Sequence, residues 1–250
     1  MSKIIPDHVP NWVTRPIYFM GMEVPRMAIE MVATPLSLPW LIRHRTSQGQ
    51  PLLVVPAMSP AMSMLEMRLA LTVLGHKVHC MPELEMVSKK PRTIREDVIA
   101  ETVRLSEHYQ QPINLVAWCY GGAFARMAAM AVPDRVRQVI TMGAALEGRS
   151  YPKEYANSGT SPLPVPATAI YSRTDGMFDH HQVRQPEGWD RAENIEIPSS
   201  HFGMANHPMA IHVIADRLAQ PKDGWRPFGG WNLDNAGDSP EPVAKRVRVA

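Results

Sequence analysis

Cys119 stands where the sequence could build a nucleophile. The apolar run from Ile113 to Trp118 predicts a buried strand, and small, apolar residues from Gly122 onward predict a helix. A strand that turns directly into a helix, with small residues two positions away on each side of the turning residue, is typical of a nucleophile elbow. Ala117 and Gly121 are those small neighbours. A thiol at position 119 would face the positive end of the helix, which favours the thiolate form. The alternative interpretation is that Cys119 is only a small, buried apolar side chain.

Two later strand ends carry the other groups that acyl chemistry needs. Asp175 follows a predicted strand over 167–172, and His201 follows a short strand that ends at Ile197. The chain order is therefore nucleophile, acid, base. The imidazole could take the thiol proton, and a carboxylate behind it could fix its tautomer. Taken singly, Asp175 could be an Asp-Gly turn and His201 a loop histidine. The order of all three favours an active site, with Asp179 as the alternative acid.

Other positions near the elbow would complete this site. The oxyanion formed during acyl transfer needs two N–H donors, which we expect from Tyr120 and Met58. Bulky and sulfur-containing side chains near the elbow would suit an apolar acyl chain, although core packing explains the methionines equally well. The expected substrate pocket comprises Ala57, Trp118, Met62 and Phe202.

No metal or cofactor is expected. Asp179, His180 and His181 could suggest a metal site, but we expect adjacent histidines to point in different directions in regular structure. The sequence also lacks a glycine-rich phosphate loop and a nicotinamide fingerprint.

The composition is that of an ordinary α/β domain. The chain has 250 residues, 45% of them hydrophobic, and a formal net charge of +2, which gives no reason to expect nucleic acid as a partner. The sequence has only two cysteines, Cys80 and Cys119, and a disulfide between them would remove the nucleophilic thiol. A reducing compartment, the cytoplasm, is therefore expected. Charged residues and prolines interrupt the most apolar segment, over 17–42, so we expect no membrane span.

Strands alternate with helices along the middle of the chain, which predicts a mostly parallel sheet covered on both faces. A capping box at Thr93–Glu96 is expected to open one of the helices. The predicted divisions are a proline-broken helical arm over 1–50, a core over 51–228 with a lid loop at about 144–166, and a flexible tail over 229–250.

Several stretches together resemble the α/β-hydrolase superfamily, and within it bacterial lipase- and esterase-like proteins. They are Leu52–Pro56, Leu115–Gly122, Val136–Gly143, Tyr171–Gly176, Ser200–Gly203, Ile214–Leu218 and Trp225–Phe228. The resemblance spans roughly residues 20 to 228 and implies the α/β-hydrolase fold, in which the nucleophile, acid and base follow one another in this order.

Three departures from that family bear on function. The nucleophile is Cys119 where serine is usual, Ala117 replaces a glycine, and the first strand ends in Pro56-Ala-Met58 without the usual glycine. A cysteine elbow is similar to those of dienelactone hydrolases and polyhydroxyalkanoate synthases, although the chain is otherwise unlike the synthases. A further alternative is that Cys119 replaces an ancestral serine and leaves a sluggish esterase, in which case restoring serine would raise activity sharply.

The sequence thus predicts an acyl-enzyme hydrolase or acyltransferase that acts on an ester, thioester or lactone through a Cys-His-Asp triad. A small acyl compound is the expected partner, and an acyl carrier thioester is one candidate donor. The alternative is a hydrolase-fold binding protein or a cyclase that makes no covalent intermediate. The substrate, the acyl acceptor and the oligomeric state stay open at this stage.

Overall fold

The core of the protein is one parallel sheet. The computed structural model describes residues 14–43, 49–56, 64–82, 86, 88–146, 161–221 and 224–230. All the strand pairs in its six-stranded sheet are parallel, which confirms the predicted architecture. In chain order the strands are β1 (Pro51–Val55), β2 (Lys77–Cys80), β3 (Ile113–Trp118), β4 (Val136–Met142), β5 (Ala167–Tyr171) and β6 (Ala192–Glu196).

The strand order indicates where on the sheet a binding site is expected. Across the sheet the order is β2-β1-β3-β4-β5-β6. The chain runs outward from β1 to β2, returns to β3 on the other side of β1, and then continues in one direction to β6. In sheets of this kind, ligands bind beyond the carboxyl ends of the strands where the order reverses. Cys119 directly follows β3, at this reversal.

Helices cover both faces of the sheet. They are α1 (Thr14–Arg43), α2 (Leu65–Val73), α3 (Pro91–Tyr109), α4 (Gly121–Ala131), α5 (His180–Val183) and α6 (Pro208–Ala219). Alternate residues of the strands enter opposite layers: Leu52 and Val54 pack with side chains of α1, α2 and α6, whereas Leu53 and Val55 pack with α3 and α4. Because both faces of the sheet are covered, β1, β3 and β5 are buried along their whole length, whereas the edge strands β2 and β6 are only partly buried.

Helix α1 differs from its prediction because its prolines do not break it. It runs from Thr14 to Arg43 through Pro25, Pro35 and Pro39. All three prolines are exposed, so the carbonyl groups that lose a helical partner to them can bind water. No helix in the described part of the chain is long and apolar enough to cross a bilayer.

The polarity of α1 is inverted. A surface helix usually buries an apolar stripe and exposes its polar face. Here Ile29 and Leu36 are 71% and 76% exposed, whereas Glu23 and Glu30 are 1% and 7% exposed. In the middle turns of α1, the side that faces the protein therefore carries charged residues, whereas Phe19 and Leu41 are the buried apolar residues nearer its two ends.

Other elements match their predictions closely, with one error. The bounds of β3 and β4 are those expected from the sequence. The capping box is wrong: α3 begins at Pro91, with Lys90 as an N-cap that makes no side-chain bond, and Glu96 pairs with Arg92. Proline at the first helical position explains the earlier start, because its missing N–H needs no partner there. Most of the predicted lid and tail lies outside the described residues.

A chain of buried amides joins the sheet to α6 at the end away from Cys119. The Asn114 amide donates to the Pro51 carbonyl (2.9 Å), and the Gln138 amide donates to Asn114 Oδ1 (2.8 Å) and to the Arg217 carbonyl (3.0 Å). Asn114 is completely buried. Three strands and a helix therefore share one hydrogen-bonded network.

We expect Asn114→Leu to lower the free energy of unfolding by about 2 to 4 kcal/mol, because it removes two buried hydrogen bonds, one to the Pro51 carbonyl and one from the Gln138 amide. Urea unfolding followed by circular dichroism measures this change. The control is Gln111→Leu, since Gln111 is exposed on the preceding turn. Equal unfolding midpoints for the two variants would contradict the role given to this network.

A partly buried histidine, His207, directly precedes helix α6. His207 Nδ1 accepts the Met209 N–H (3.1 Å) as an N-cap. Burial, with a smaller contribution from the charge of Arg26, lowers the pKa of His207 to about 4. The folded state therefore resists protonation that the unfolded chain accepts.

As pH falls from about 6.5 toward 4, the unfolded chain binds a proton that the folded protein does not, so stability should fall by about 1 to 2 kcal/mol at around pH 5. His207→Asn keeps a capping acceptor and removes the titration. We expect it to lose less stability than the wild type between about pH 8 and pH 5 in urea unfolding. An identical loss in both proteins would show that His207 is not responsible.

Candidate active site

Cys119 has the strained backbone of an elbow. Its φ is +51°, in the left-handed region that residues other than glycine rarely adopt. The Cys119 N–H donates to the Met142 carbonyl (2.9 Å), which extends the β3–β4 pairing by one residue before the chain enters α4. The thiol is partly buried and free.

Close packing of the sheet explains the small residues beside Cys119. A Cβ atom on Gly121 would lie 2.2 Å from the Val55 carbonyl oxygen and 2.6 Å from that of Pro56. Ala117, on β3, is also completely buried. Larger side chains would push α4 away from the end of β1 and would open the turn.

Asp175 and His201 form a buried pair beside this turn. Asp175 follows β5 and His201 follows β6, and His201 Nδ1 lies 2.8 Å from Asp175 Oδ2. The side chains are 0% and 1% exposed, respectively. Cys119 lies within hydrogen-bonding reach of the same imidazole. The structure therefore brings together the three residues that the sequence singles out.

Local turns aim the Asp175 carboxylate. Its Oδ1 accepts the N–H groups of Met177 (2.7 Å) and Phe178 (2.8 Å), which leaves Oδ2 for His201. The alternative acid, Asp179, is 62% exposed and caps α5 by accepting the His181 N–H (2.9 Å). Of the two candidate acids, Asp175 makes the hydrogen bond to His201.

The surroundings of His201 favour its charged form. Burial alone would lower the pKa of the imidazole, but hydrogen bonds and charge from Asp175 and Cys119 outweigh it and raise that pKa to about 10. An imidazolium at neutral pH could donate a proton to a leaving group during acyl transfer.

The Asp175–His201 pair packs against Gly143. Gly143 has a φ of +51°, and a Cβ atom there would lie 3.1 Å from His201 Nδ1 and 3.4 Å from Asp175 Oδ2. The Phe178 ring stands edge-on to His201, with 5.2 Å between centroids. The backbone at Gly143 and the Phe178 ring therefore limit the position and the tilt of the His201 imidazole.

Trp118 is placed differently from the expected pocket wall. It is 2% exposed within the core, and its indole N–H donates to the His201 carbonyl (3.2 Å). This position fits a support for His201 better than a surface for substrate.

The other predicted site residues fall into two groups. Tyr120 directly precedes α4 as its N-cap, and its ring packs edge-on against Phe124. Phe202 is partly buried and adjoins His201, with 5.9 Å between ring centroids. Ala57, Met58 and Met62 lie outside the described residues, so their predicted roles stay predictions.

The geometry corrects one expectation about the histidine pair. His180 and His181 do not point apart: their ring centroids are 4.0 Å apart, and one ligand atom from each lies within 4.8 Å of an Asp179 oxygen. Asp179 and His181 are exposed, and Asp179 is already engaged in capping. This surface group lies apart from the buried Asp175–His201 pair.

Sequence reasoning missed three contributors on α1. Glu23, Arg26 and Glu30 were expected only to interrupt an apolar segment, but each bonds to a loop that carries Asp175 or His201. A usable signal was their spacing of three and four residues, which places all three on one face of a helix.

Comparison with known proteins agrees with the fold. A family model described as "alpha/beta hydrolase fold" matches residues 95–160, which include β3, the Cys119 turn, α4 and β4. No curated protein sequence gives a significant match.

Solved structures are similar over most of the described chain. Lipase B from Aspergillus fumigatus has a TM-score of 0.61 and 16% identity over 80% of this chain and 59% of the lipase, so this chain spans less than two thirds of the lipase's length. MGS-MChE2, an α/β-hydrolase from the metagenome of lagoon sediments at Mar Chica, Morocco, has a TM-score of 0.51 and 14% identity over 68% of this chain and 90% of its own. The thioesterase domain of the curacin biosynthetic pathway has a TM-score of 0.50 and 11% identity, over 68% of this chain and 91% of the domain. The protein therefore has the α/β-hydrolase fold.

Proposed function

We propose that this protein is an enzyme that cleaves ester or thioester bonds through an acyl-Cys119 intermediate, with His201 as acid and base and Asp175 as its orienting carboxylate. The observation that carries the proposal is the left-handed Cys119 at a strand-to-helix turn, within hydrogen-bonding reach of a histidine that is itself bonded to a buried carboxylate. Strained non-glycine residues persist where function needs them, and this one presents a nucleophile.

The first half of the reaction forms the acyl-enzyme. The Cys119 sulfur attacks the carbonyl carbon, and the C–O or C–S bond to the leaving group breaks as the tetrahedral intermediate collapses. The His201 imidazolium gives its proton to the departing oxygen or sulfur. The negative oxygen of the intermediate would lie at the N-terminus of α4, near the N–H of Tyr120, where the helix dipole favours an anion. Met58 is the expected second donor.

The second half releases the acyl group. His201, now neutral, takes a proton from water as the water oxygen attacks the thioester carbonyl carbon. The C–S bond breaks, the carboxylic acid leaves, and the proton on His201 restores the ion pair with the Cys119 thiolate. An alcohol, amine or thiol in place of water would make the same site an acyltransferase.

A thiolate nucleophile points to thioester substrates. Attack on a thioester exchanges one thioester for another, so little bond energy is lost in the first step, whereas attack on an alkyl ester forms a less stable acyl bond. An acyl group on a thiol carrier is therefore the favoured donor, and lactones are a further class. Neither Cys80 nor Cys119 forms a disulfide, which is compatible with a reducing cytoplasm as the setting.

Covalent catalysis is tested by intact mass after mixing the protein with a panel of acyl thioesters and activated esters. We expect a mass increase equal to one acyl group in the wild type and none in Cys119→Ala. His201→Ala should be acylated at least about 100-fold more slowly, because general acid–base catalysis is lost. Cys80→Ala is the matched control and should behave as the wild type.

The panel also separates the alternatives. Simple esters that far outrun thioesters would reject the preference for thioester donors. An absence of both adduct and turnover with every donor would reject the proposal and would favour a binding protein or a cyclase without a covalent step. A sharp gain of esterase activity in Cys119→Ser would favour a recent replacement of serine.

The two acidic candidates give a paired test. Asp175→Asn should lower the rate of acylation by roughly 100-fold, because the amide cannot stabilise the imidazolium. Asp179→Asn should change it by less than about two-fold, since Asp179 is a surface cap. Stopped-flow acylation with the best donor measures both. A larger effect at Asp179 would assign the carboxylate role to that residue instead.

A further inference from the structure

The inward face of α1 holds both loops that carry the Asp175–His201 pair. Glu23 is 1% exposed, and its two carboxylate oxygens accept different N–H groups: Oε1 that of Gly176 (2.7 Å) and Oε2 that of Phe202 (2.9 Å). Gly176 is the residue after Asp175, and Phe202 is the residue after His201. One carboxylate therefore bridges the two loops directly behind the residues that meet at 2.8 Å.

Two further side chains of α1 bind the residues that directly precede Asp175 and His201. The Arg26 guanidinium donates to the Thr174 carbonyl (2.6 Å) and to its hydroxyl (2.8 Å). Glu30 accepts the Ser200 N–H (2.7 Å) and also the Ser200 hydroxyl. Asp175 and His201 are thus each flanked, before and after, by residues bonded to α1.

The cost of this arrangement argues that it has a purpose beyond attaching the helix. Burying a carboxylate is expensive unless hydrogen bonds compensate it, and an apolar helix face would attach α1 to the core at no such cost. Burial raises the pKa of Glu30, which the bonds from Ser200 and the charge of Arg26 only partly offset. What carboxylates add is direction, because each oxygen fixes a particular backbone N–H.

We propose that Glu23 is a positioning residue for acyl transfer, which sets the separation and angle of Asp175 and His201 by bridging their loops, with Arg26 and Glu30 fixing the outer side of each loop. This inference rests on the proposed function, because the geometry that it controls is that of the proposed base. Glu23 itself touches no reacting atom.

Glu23→Gln is the decisive variant. An amide keeps the size of the side chain, but only one of its two polar atoms can accept, so one loop loses its bond and faces an N–H₂ group instead. A displacement of about 1 Å at a catalytic base costs up to roughly 100-fold in rate. We expect kcat for the best acyl donor to fall about 10- to 100-fold, with KM changed by less than about two-fold.

A second readout reports the ion pair without any substrate. The rate at which iodoacetamide alkylates Cys119, measured against pH, follows the thiolate fraction. In Glu23→Gln this profile should differ from that of the wild type, with a lower rate at neutral pH, because the displaced His201 meets the thiol in a different geometry. Glu96→Gln is the matched control: Glu96 is 55% exposed on α3 and pairs with Arg92, and its substitution should leave both readouts at wild-type values.

A purely structural role predicts a different result. In that case Glu23→Gln would lower the melting temperature, but the folded variant would keep the wild-type kcat and the wild-type alkylation profile, which would overturn the proposal. If Glu23→Gln does not fold, Arg26→Gln and Glu30→Gln each release one loop. A fall in kcat in both, with KM unchanged, would support the proposal, and wild-type values in both would overturn it.

The design keeps this inference separate from the proposed function. If wild-type protein forms no acyl adduct with any donor, the proposed function fails, and the alkylation profile alone decides whether Glu23 controls the Cys119–His201 pair. If the adduct forms and Glu23→Gln leaves both kcat and the profile unchanged, the positioning role fails while the proposed function stands.

Discussion

The left-handed backbone at Cys119 is the constraint on which the rest of the structure depends. A non-glycine residue in this region costs about 1 to 2 kcal/mol, and it persists only where its surroundings leave no alternative. Here β4 holds the strand side of the turn through the Met142 carbonyl, and the end of β1 leaves room only for glycine at position 121. The strand order, with β1 and β4 on either side of β3, is therefore a requirement of the turn.

The buried carboxylates Asp175 and Glu23 are stabilised largely by backbone N–H groups. Asp175 accepts two N–H groups besides its bond to His201, and Glu23 accepts two more from the adjoining loops. Hydrogen bonds to a charged acceptor are the strong ones, and backbone donors are already fixed in direction. The same bonds that stabilise these carboxylates consequently order the loops that donate them, so stability and site geometry are coupled.

The sequence predicts the part of the fold that follows from local pattern. Apolar runs bounded by turns locate β3 and β4 to the residue, and the small residues around Cys119 predict its turn. The order of Asp175 and His201 after successive strands predicts their approach, because parallel strands end at one edge. Choosing Asp175 over Asp179 required the structure, since only the turn at Met177 and Phe178 shows which carboxylate faces inward.

The role of α1 could not be predicted in the same way. Most of its residues are apolar, and an apolar majority normally marks the buried face, so its few charged residues read as interruptions. In the structure that majority faces outward and the charged residues face the loops. The spacing of Glu23, Arg26 and Glu30 places them on one face of a helix, but it does not show that this face is buried, because the groups that satisfy Glu23 lie 153 and 179 residues further along the chain.

That distance along the chain has a consequence for biosynthesis. The ribosome makes α1 before any strand of the sheet, and the N–H groups that its carboxylates require belong to segments translated much later. Until those segments emerge, the helix has no native partner for its charged side. Long-range contacts of this kind form late and slow the folding of a chain. Among the described elements, α1 is therefore synthesised before the strands, but the contacts of its charged residues form only after the loops of Asp175 and His201 have been made.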